Sequence, residues 1–135
     1  MESHVTNNIE SVEMLNSIDY GDGNEDRTFM SQFKKIVDNN ISKTDLSVDY
    51  ISSELGINRV QLYRKVKTLT NYTPNEYIRS RRLKKAKNLL VKTDLSVTEV
   101  CYETGFNSPS YFSKCYKEFY NELPSDYVKR IKSEE

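Results

Sequence analysis

One six-residue stretch occurs twice in this chain of 135 residues. The sequence Lys-Thr-Asp-Leu-Ser-Val fills positions 43–48 and again positions 92–97. The similarity continues beyond it, because Gly56 and Asn58 reappear 49 positions later, and Asn71, Pro74 and Tyr77 reappear 50 positions later. A solenoid needs roughly three or more stacked units, so two copies predict instead a paired device that makes two contacts with one repetitive target.

The composition excludes several classes of protein. No run of about 18 apolar residues occurs and the N-terminus lacks the order of a signal peptide, so a cytoplasmic protein without a membrane segment is expected. The only histidine is His4, and Cys101 and Cys115 fall in apolar helical patterns; buried thiols and no metal site are predicted. The absence of a phosphate-binding glycine loop and of a carboxylate pair in an apolar setting predicts a protein that is not an enzyme and has no cofactor.

The net charge of zero hides a strong asymmetry along the chain. Residues 1–28 contain seven acidic side chains and a single arginine, which gives −6. The segment 59–92 contains eleven basic side chains and one acidic side chain, which gives +10. Such a basic stripe is typical of a nucleic-acid site, although a solvated helix face produces the same pattern.

The spacing of apolar side chains predicts helices, and no alternating pattern typical of a strand occurs. Residues 1–28 lack sustained periodicity and are predicted to form a flexible acidic linker. A first helix after Thr28 is expected to bury Phe29, Phe33, Ile36 and Val37 on one face.

Helix caps and glycine turns recur in both copies. Gly56 and Gly105 each separate a short helix from a second one, which makes a helix-turn-helix in each copy. Three capping-box pairs are predicted at helix starts, namely Asn58 with Gln61, Thr73 with Glu76, and Ser96 with Glu99. The predicted fold is all-α with seven helices: a first helix-turn-helix subdomain at 29–72, a long linker helix at 73–92 and a second subdomain at 93–132.

The outward face of the second helix in each copy carries side chains suited to reading DNA bases. In the first copy this face lies opposite the predicted buried positions Leu62 and Val66. Arg64 can contact guanine through two hydrogen bonds, Gln61 can read adenine, and Val60 can touch a thymine methyl group. The predicted base-contacting residues are Val60, Gln61, Tyr63, Arg64, Lys67, Ser110, Ser113 and Lys114.

The long linker helix has a length that suits two contacts on one face of DNA. About 17 residues span roughly 26 Å, and recognition helices in successive major grooves lie roughly 34 Å apart. Basic side chains along this helix are expected either to touch phosphates or only to solvate the surface. The predicted phosphate-contacting residues are Arg59, Lys65, Arg81, Arg82, Lys85, Ser108 and Lys117. The alternative is a helical module that binds an acidic protein through the basic segment.

The same residues resemble a known family. The stretches Glu-Leu-Gly-Ile-Asn-Arg-Val-Gln-Leu-Tyr-Arg-Lys-Val-Lys at 54–67 and Tyr-Thr-Pro-Asn-Glu-Tyr-Ile-Arg at 72–79 resemble the DNA-binding domain of AraC/XylS transcription regulators. The stretches Gly-Phe-Asn-Ser-Pro-Ser-Tyr-Phe-Ser-Lys-Cys-Tyr-Lys at 105–117 and Leu-Pro-Ser-Asp-Tyr at 123–127 are similar to the signature of that family. The resemblance covers residues 29–132.

This resemblance implies a seven-helix, bi-lobed domain whose helices at 59–70 and 109–120 enter adjacent major grooves of double-stranded DNA, usually to activate transcription by RNA polymerase. The first copy is similar to output domains of hybrid two-component regulators. A sensor or receiver domain is therefore expected outside this chain, because 28 residues are too few for one. Two departures from the family pattern occur. Cys115 and Tyr116 replace a pair such as Arg-Phe, and Asn121 replaces a frequent glycine, so it is expected to adopt a left-handed turn.

Overall fold

The computed structural model describes residues 23–134, and within them every regular element is an α-helix. Seven helices occur in this part of the chain, which confirms the predicted fold class. Their bounds are α1 Asn24–Asn39, α2 Val48–Leu55, α3 Arg59–Thr70, α4 Pro74–Lys92, α5 Val97–Glu103, α6 Pro109–Tyr120 and α7 Pro124–Ser133. None of these helices is long and apolar enough to cross a membrane.

The first helix begins earlier than the sequence predicted. It starts at Asn24 rather than after Thr28, so the boundary of the predicted linker at residue 28 is wrong. Glu25 and Asp26 lie in the first turn, where carboxylates interact favourably with the positive end of the helix dipole. The acidic composition that indicated a linker therefore also suits a helix start. The remainder of the predicted linker, residues 1–22, lies outside the described residues.

The helix starts carry the predicted caps. Asn58 Oδ1 accepts a hydrogen bond from the Gln61 amide at 2.8 Å, and Gln61 Oε1 accepts one from the Asn58 amide at 3.0 Å. The second copy repeats this reciprocal pair with Ser96 and Glu99, at 3.1 and 2.8 Å. Each cap satisfies amide groups that the first turn of a helix leaves without a partner, which stabilises the start by about 1 kcal/mol.

Asparagine ends both second helices in a left-handed conformation. Asn71 has φ +64° after α3, and Asn121 has φ +67° after α6. Asparagine adopts this conformation more readily than other side chains, because its short polar group bonds locally. The expectation that Asn121 takes the left-handed turn in place of glycine is confirmed.

The described residues divide into two compact units. Unit 1 comprises residues 23–40 and Leu46–Arg79, and unit 2 comprises Ile41–Asp45 and residues 80–134. The core of unit 1 centres on Phe33 and Tyr77, whose ring centroids lie 4.9 Å apart, with Ile51, Leu62 and Val66 also fully buried. Full burial of each such aliphatic side chain contributes about 1.5–3 kcal/mol.

The core of unit 2 is rich in aromatic rings. Phe112 lies 5.1 Å from Phe106 and 5.9 Å from Tyr116, measured between ring centroids, and Tyr116 lies 6.4 Å from Tyr127. Other members of this core include Leu83, Ala86, Leu90, Val100, Cys101 and Cys115. These four rings are buried, whereas Phe119 packs against the same core and is only partly buried. Both cysteines are buried thiols, as the sequence predicted.

Candidate nucleic-acid interface

Helix α3 separates a buried face from an outward face. Leu62 and Val66 have no exposed surface, because they pack into the core of unit 1. On the opposite side, 64% of Val60 and 51% of Tyr63 are exposed, and Arg64 is exposed beside them. A recognition helix needs this division, with one face holding the helix on its unit and the other free for a major groove.

The outward face of α3 borders a groove in unit 1 with a volume of about 910 Å³. The structure brings five of the predicted residues together there: Arg59, Val60, Tyr63, Arg64 and Lys67. The groove is also lined by Val48, Thr68, Thr73, Pro74 and Asn75, none of which is among the predicted base-contacting or phosphate-contacting residues. Val48, Pro74 and Asn75 lie in the first turns of α2 and α4, so the groove is formed by three helices rather than by α3 alone.

Gln61 has a different role from the other predicted base-contacting residues. Its Oε1 atom accepts the Asn58 amide hydrogen bond of the capping box. A bidentate contact with adenine needs this oxygen as acceptor together with the amide nitrogen as donor, so the two roles compete for one group. Gln61 is also absent from the lining of the groove. The structure thus places Gln61 in the cap of α3, and its contact with adenine stays a prediction.

Three basic side chains of α3 already have partners in unit 1. Arg59 Nε lies 3.1 Å from a carboxylate oxygen of Asp49, and Lys67 Nζ donates to the Asn71 carbonyl at 3.1 Å. Lys65 Nζ lies 3.7 Å from an Asp26 oxygen and 5.2 Å from the centroid of the Phe29 ring. Exposed ion pairs of this kind contribute about 0–1 kcal/mol, so a phosphate group can compete for these cations.

In unit 2, α6 presents an outward face of smaller side chains. Ser110, Lys114 and Lys117 are exposed, and Ser113 is partly buried. Ser108 acts first as the cap of α6, since its Oγ accepts a hydrogen bond from the Tyr111 amide at 3.2 Å. The four predicted residues of this helix lie within one element of unit 2, and Ser108 caps its start. Lysine is the only kind of cation among these five residues, and none of them is aromatic.

The predicted cations of α4 differ in accessibility. Lys85 is exposed and Arg81 is partly exposed. Arg82 instead donates two hydrogen bonds to backbone carbonyls of unit 2, from Nε to Ile41 at 3.2 Å and from Nη2 to Lys43 at 2.7 Å. Burial lowers the pKa of the Arg82 guanidinium from its ordinary value. This side chain is held inside its own unit by two backbone carbonyls about 40 positions away in the sequence.

Comparison with known sequences identifies the family. Residues 51–130 match the family described as "Helix-turn-helix domain". The chain belongs to the AraC-type helix-turn-helix family of transcription regulators. A protein named histidine kinase P4 from Formosa agariphila is 41% identical over 105 residues, which are 78% of this chain and 8% of that protein.

The chain is also similar to a transcriptional activator and to a DNA-binding domain of known structure. The HTH-type transcriptional activator RhaS of Escherichia coli is 30% identical over 82 residues, which cover 61% of this chain and 30% of that protein. The crystal structure of the DNA-binding domain of AdpA, a global transcriptional factor in complex with a target DNA, has the same fold with a TM-score of 0.73. It is 20% identical and covers 77% of this chain and 93% of that chain. The present chain spans 8%, 38% and 52% of the length of three curated relatives that it matches.

Three lining residues of this groove that the sequence did not predict, Val48, Pro74 and Asn75, lie at helix starts. Val48 follows the cap Ser47, and Pro74 and Asn75 follow the cap Thr73, whose Oγ1 accepts the Glu76 amide at 3.1 Å. A cap predicts where a helix begins but not which surface that beginning faces. Only the packing of α2 and α4 around α3 brings these starts to the recognition face.

Proposed function

We propose that this chain binds double-stranded DNA at specific sequences and regulates transcription, with α3 and α6 entering successive major grooves. The observation that carries the proposal is the outward face of α3, where Val60, Tyr63 and Arg64 stand exposed along one groove. The family membership of the chain and the DNA complex formed by the AdpA domain support it.

The chemistry of the α3 face fits base recognition. The planar guanidinium of Arg64 can donate two hydrogen bonds to the O6 and N7 atoms of guanine. Val60 offers an apolar contact to the methyl group of thymine, and Tyr63 combines an apolar ring with a hydroxyl group. Lys67 lies at the other end of the face and, in place of its bond to Asn71, can serve a base or a phosphate. We assign direct base reading in unit 1 to Val60, Tyr63 and Arg64.

Helix α6 supplies the second contact. Ser110, Ser113 and Lys114 are its base-facing residues, and Lys114 acts there as a single point charge. Contacts to phosphates are assigned to cations and hydroxyl groups around both helices. These are Arg59, Lys65, Arg81, Lys85, Ser108 and Lys117. Phosphate contacts set the position and the salt dependence of binding, whereas base contacts set the sequence.

Hydroxyl-radical footprinting of a monomeric complex tests the two-groove arrangement. The duplex is first obtained by selection from random sequence with the full chain, which asks whether any sequence preference exists. The expected result is two protected segments on one face of the DNA, about 34 Å apart. A single protected segment at saturation contradicts the proposal of two inserted helices.

A protein-interaction module that binds an acidic partner is the second candidate. It is favoured by the carboxylates that already pair with basic side chains of α3, namely Asp49 with Arg59 and Asp26 with Lys65. The selection experiment separates the two functions, because such a module enriches no DNA sequence. Enrichment of one motif with protection of both segments excludes this candidate.

We propose further that the chain is a non-enzymatic output module acting in the cytoplasm. Its role is activation through RNA polymerase, under control of a sensor or receiver domain. The activator name of RhaS and the match to a small part of histidine kinase P4 support these assignments. Transcription in vitro from a promoter that carries the selected site tests whether the chain activates transcription. A rise in transcript with added protein is expected, and a fall indicates a repressor.

A further inference from the structure

The connection Ile41–Asp45 lies between α1 and α2 in sequence but belongs to the other unit. The residues before it, up to Asn40, and those after it, from Leu46, are part of unit 1, whereas Ile41–Asp45 packs with unit 2. The chain therefore passes from unit 1 to unit 2 and back within five residues. Helix α4 provides a third passage, since unit 1 ends at Arg79 and unit 2 continues at Ser80.

Arg82 fastens this connection from the side of α4. Its Nε donates to the carbonyl of Ile41, and its Nη2 donates to the carbonyl of Lys43. Two donors fixed on one rigid plane can hold two backbone carbonyls at once, and a charged donor forms a stronger hydrogen bond than a neutral one. Ile41 itself is 4% exposed, so its side chain is buried next to the carbonyl that Arg82 holds.

Gly105 fits closely against the same connection. A Cβ atom at this position would overlap the Ile41 carbonyl oxygen and would lie 2.8 Å from Arg82 Nε. Gly56 occupies the equivalent turn of the first copy, and a Cβ atom there would meet nothing within 4 Å. The close approach is therefore specific to the second copy and to the connection that Arg82 holds.

We infer that Arg82 is a positioning residue that anchors Ile41–Asp45 on unit 2, and not a ligand of DNA phosphate. Both ends of the connection continue into unit 1, so anchoring it on unit 2 reduces the conformations open to this stretch of chain. Two binding elements on one chain gain affinity from each other through their effective concentration, which is highest when the linkage matches the span of the two sites. Arg82 thus supports simultaneous binding by α3 and α6 without touching the DNA, and this consequence rests on the proposed function.

The duplicated hexapeptide provides an internal control for testing the anchor. Trypsin cleaves after Lys43 and after Lys92, and both bonds are followed by the same five residues, Thr-Asp-Leu-Ser-Val. The carbonyl of the Lys43 bond accepts the Arg82 hydrogen bond, whereas the Lys92 bond lies at the end of α4. The ratio of the two cleavage rates therefore reports release of the connection and cancels differences in protease activity.

The full chain is digested without DNA as wild type, Arg82→Ala, Arg82→Lys and Lys85→Ala. Arg82→Ala is expected to raise the ratio of Lys43 to Lys92 cleavage about tenfold or more, because two charge-assisted hydrogen bonds that oppose local opening are lost. Arg82→Lys should raise it similarly, since a compact ammonium on a flexible stem lacks the two donors that the guanidinium plane holds at fixed positions. Lys85→Ala, an exposed neighbour on α4, should leave the ratio unchanged. An unchanged ratio in Arg82→Ala overturns the inference.

Salt dependence of DNA binding provides the second measurement, on the duplex selected by the wild-type chain. Loss of one phosphate ligand makes the slope of log K against log salt shallower by about 0.9. Arg82→Ala is expected to weaken binding with an unchanged slope, and Arg82→Lys should not restore affinity. A shallower slope in Arg82→Ala, with recovery in Arg82→Lys, identifies a phosphate ligand and overturns the inference. If no duplex is selected, the proposed function fails while the digestion result still decides the anchor.

Discussion

The two glycine turns of the duplicated units predict very different costs for the same substitution. Gly56 and Gly105 both have positive φ, +70° and +87°, so alanine is strained at either position. A Cβ atom at position 56 meets open space, whereas one at position 105 overlaps the Ile41 carbonyl oxygen and lies 2.9 Å from Arg82 Cζ. Gly56→Ala therefore measures backbone strain alone, and Gly105→Ala adds a steric conflict.

The magnitude follows from these two contributions. An L-residue in the left-handed region costs roughly 1–2 kcal/mol, which is the whole effect expected for Gly56→Ala. At position 105 one of the nearest atoms belongs to the backbone, so it cannot turn away as a side chain can, and overpacking of this kind costs about 1–3 kcal/mol more. Displacement of the Ile41 carbonyl also weakens its bond with Arg82. The free energy of unfolding should therefore fall by at least about 1 kcal/mol more for Gly105→Ala than for Gly56→Ala.

Urea denaturation of both variants measures this difference, and hydrogen exchange assigns the loss to unit 1 or unit 2. Asparagine provides the matched control, since Asn71 and Asn121 hold the same left-handed conformation in this protein. Gly56→Asn should recover part of the stability lost in Gly56→Ala, whereas Gly105→Asn should not, because its Cβ meets the same carbonyl. Equal destabilisation by alanine at both positions refutes the steric reasoning.

Two further predictions concern the acidic segment and a buried hydroxyl group. Residues 1–22 carry five acidic side chains and neither lysine nor arginine. Deletion of these residues should tighten DNA binding at low salt, and the gain in affinity should shrink as the salt concentration rises. Equal affinities of the full and shortened chains, measured by titration at low ionic strength, indicate an inert segment. Burial, and secondly Glu76, raise the pKa of Tyr72 from its ordinary value of 10 to about 12. The stability that the neutral hydroxyl provides is therefore present below pH 10 and is lost between pH 10 and pH 12. Tyr72→Phe should remove this loss of stability at alkaline pH. It should not destabilise the protein at neutral pH, because the hydroxyl is buried without a hydrogen-bond partner in the described part of the chain. Urea titrations of both proteins at neutral and at alkaline pH measure these effects.

Local sequence rules predicted the helices well where a signal lies within a few residues. The capping boxes at Asn58 and Ser96 and the left-handed Asn121 are examples, because each involves contacts at most four residues apart. The start of α1 was missed for a related reason. Carboxylates such as Glu25 favour both a solvated linker and the first turn of a helix, and composition alone does not distinguish the two.

Contacts between distant parts of the sequence were not predictable in this way. Arg82 belongs to a run of basic residues and was assigned to phosphates with its neighbours, yet its partners Ile41 and Lys43 precede it by about 40 positions. The position of Asn75 in the groove of α3 is a similar case, since it depends on how α4 packs in unit 1. The sequence repeat helped with local and with distant contacts, because it showed which positions of the two copies should correspond and at which of them the copies differ.

The differences between the copies predict unequal contributions to sequence recognition. Val60, Tyr63 and Arg64 of α3 correspond to Ser110, Ser113 and Lys114 of α6, so an apolar contact, an aromatic ring and a bidentate guanidinium are replaced by two small hydroxyls and a point charge. Arg64→Ala should therefore cost about 1–3 kcal/mol of DNA affinity and relax the preference at one base pair.

Lys114→Ala should cost less affinity and leave base preference nearly unchanged, because a lysine contributes charge more than geometry. A scan of base-pair substitutions across the selected duplex measures both effects, and the half-site bound by unit 1 should be the more stringent one. Lys114→Arg extends the test, since a guanidinium at this position of α6 should raise the preference for guanine in the second half-site. Greater stringency in the half-site of α6 would contradict the ranking of the two units. Recognition would then depend on features of α6 other than Ser110, Ser113 and Lys114.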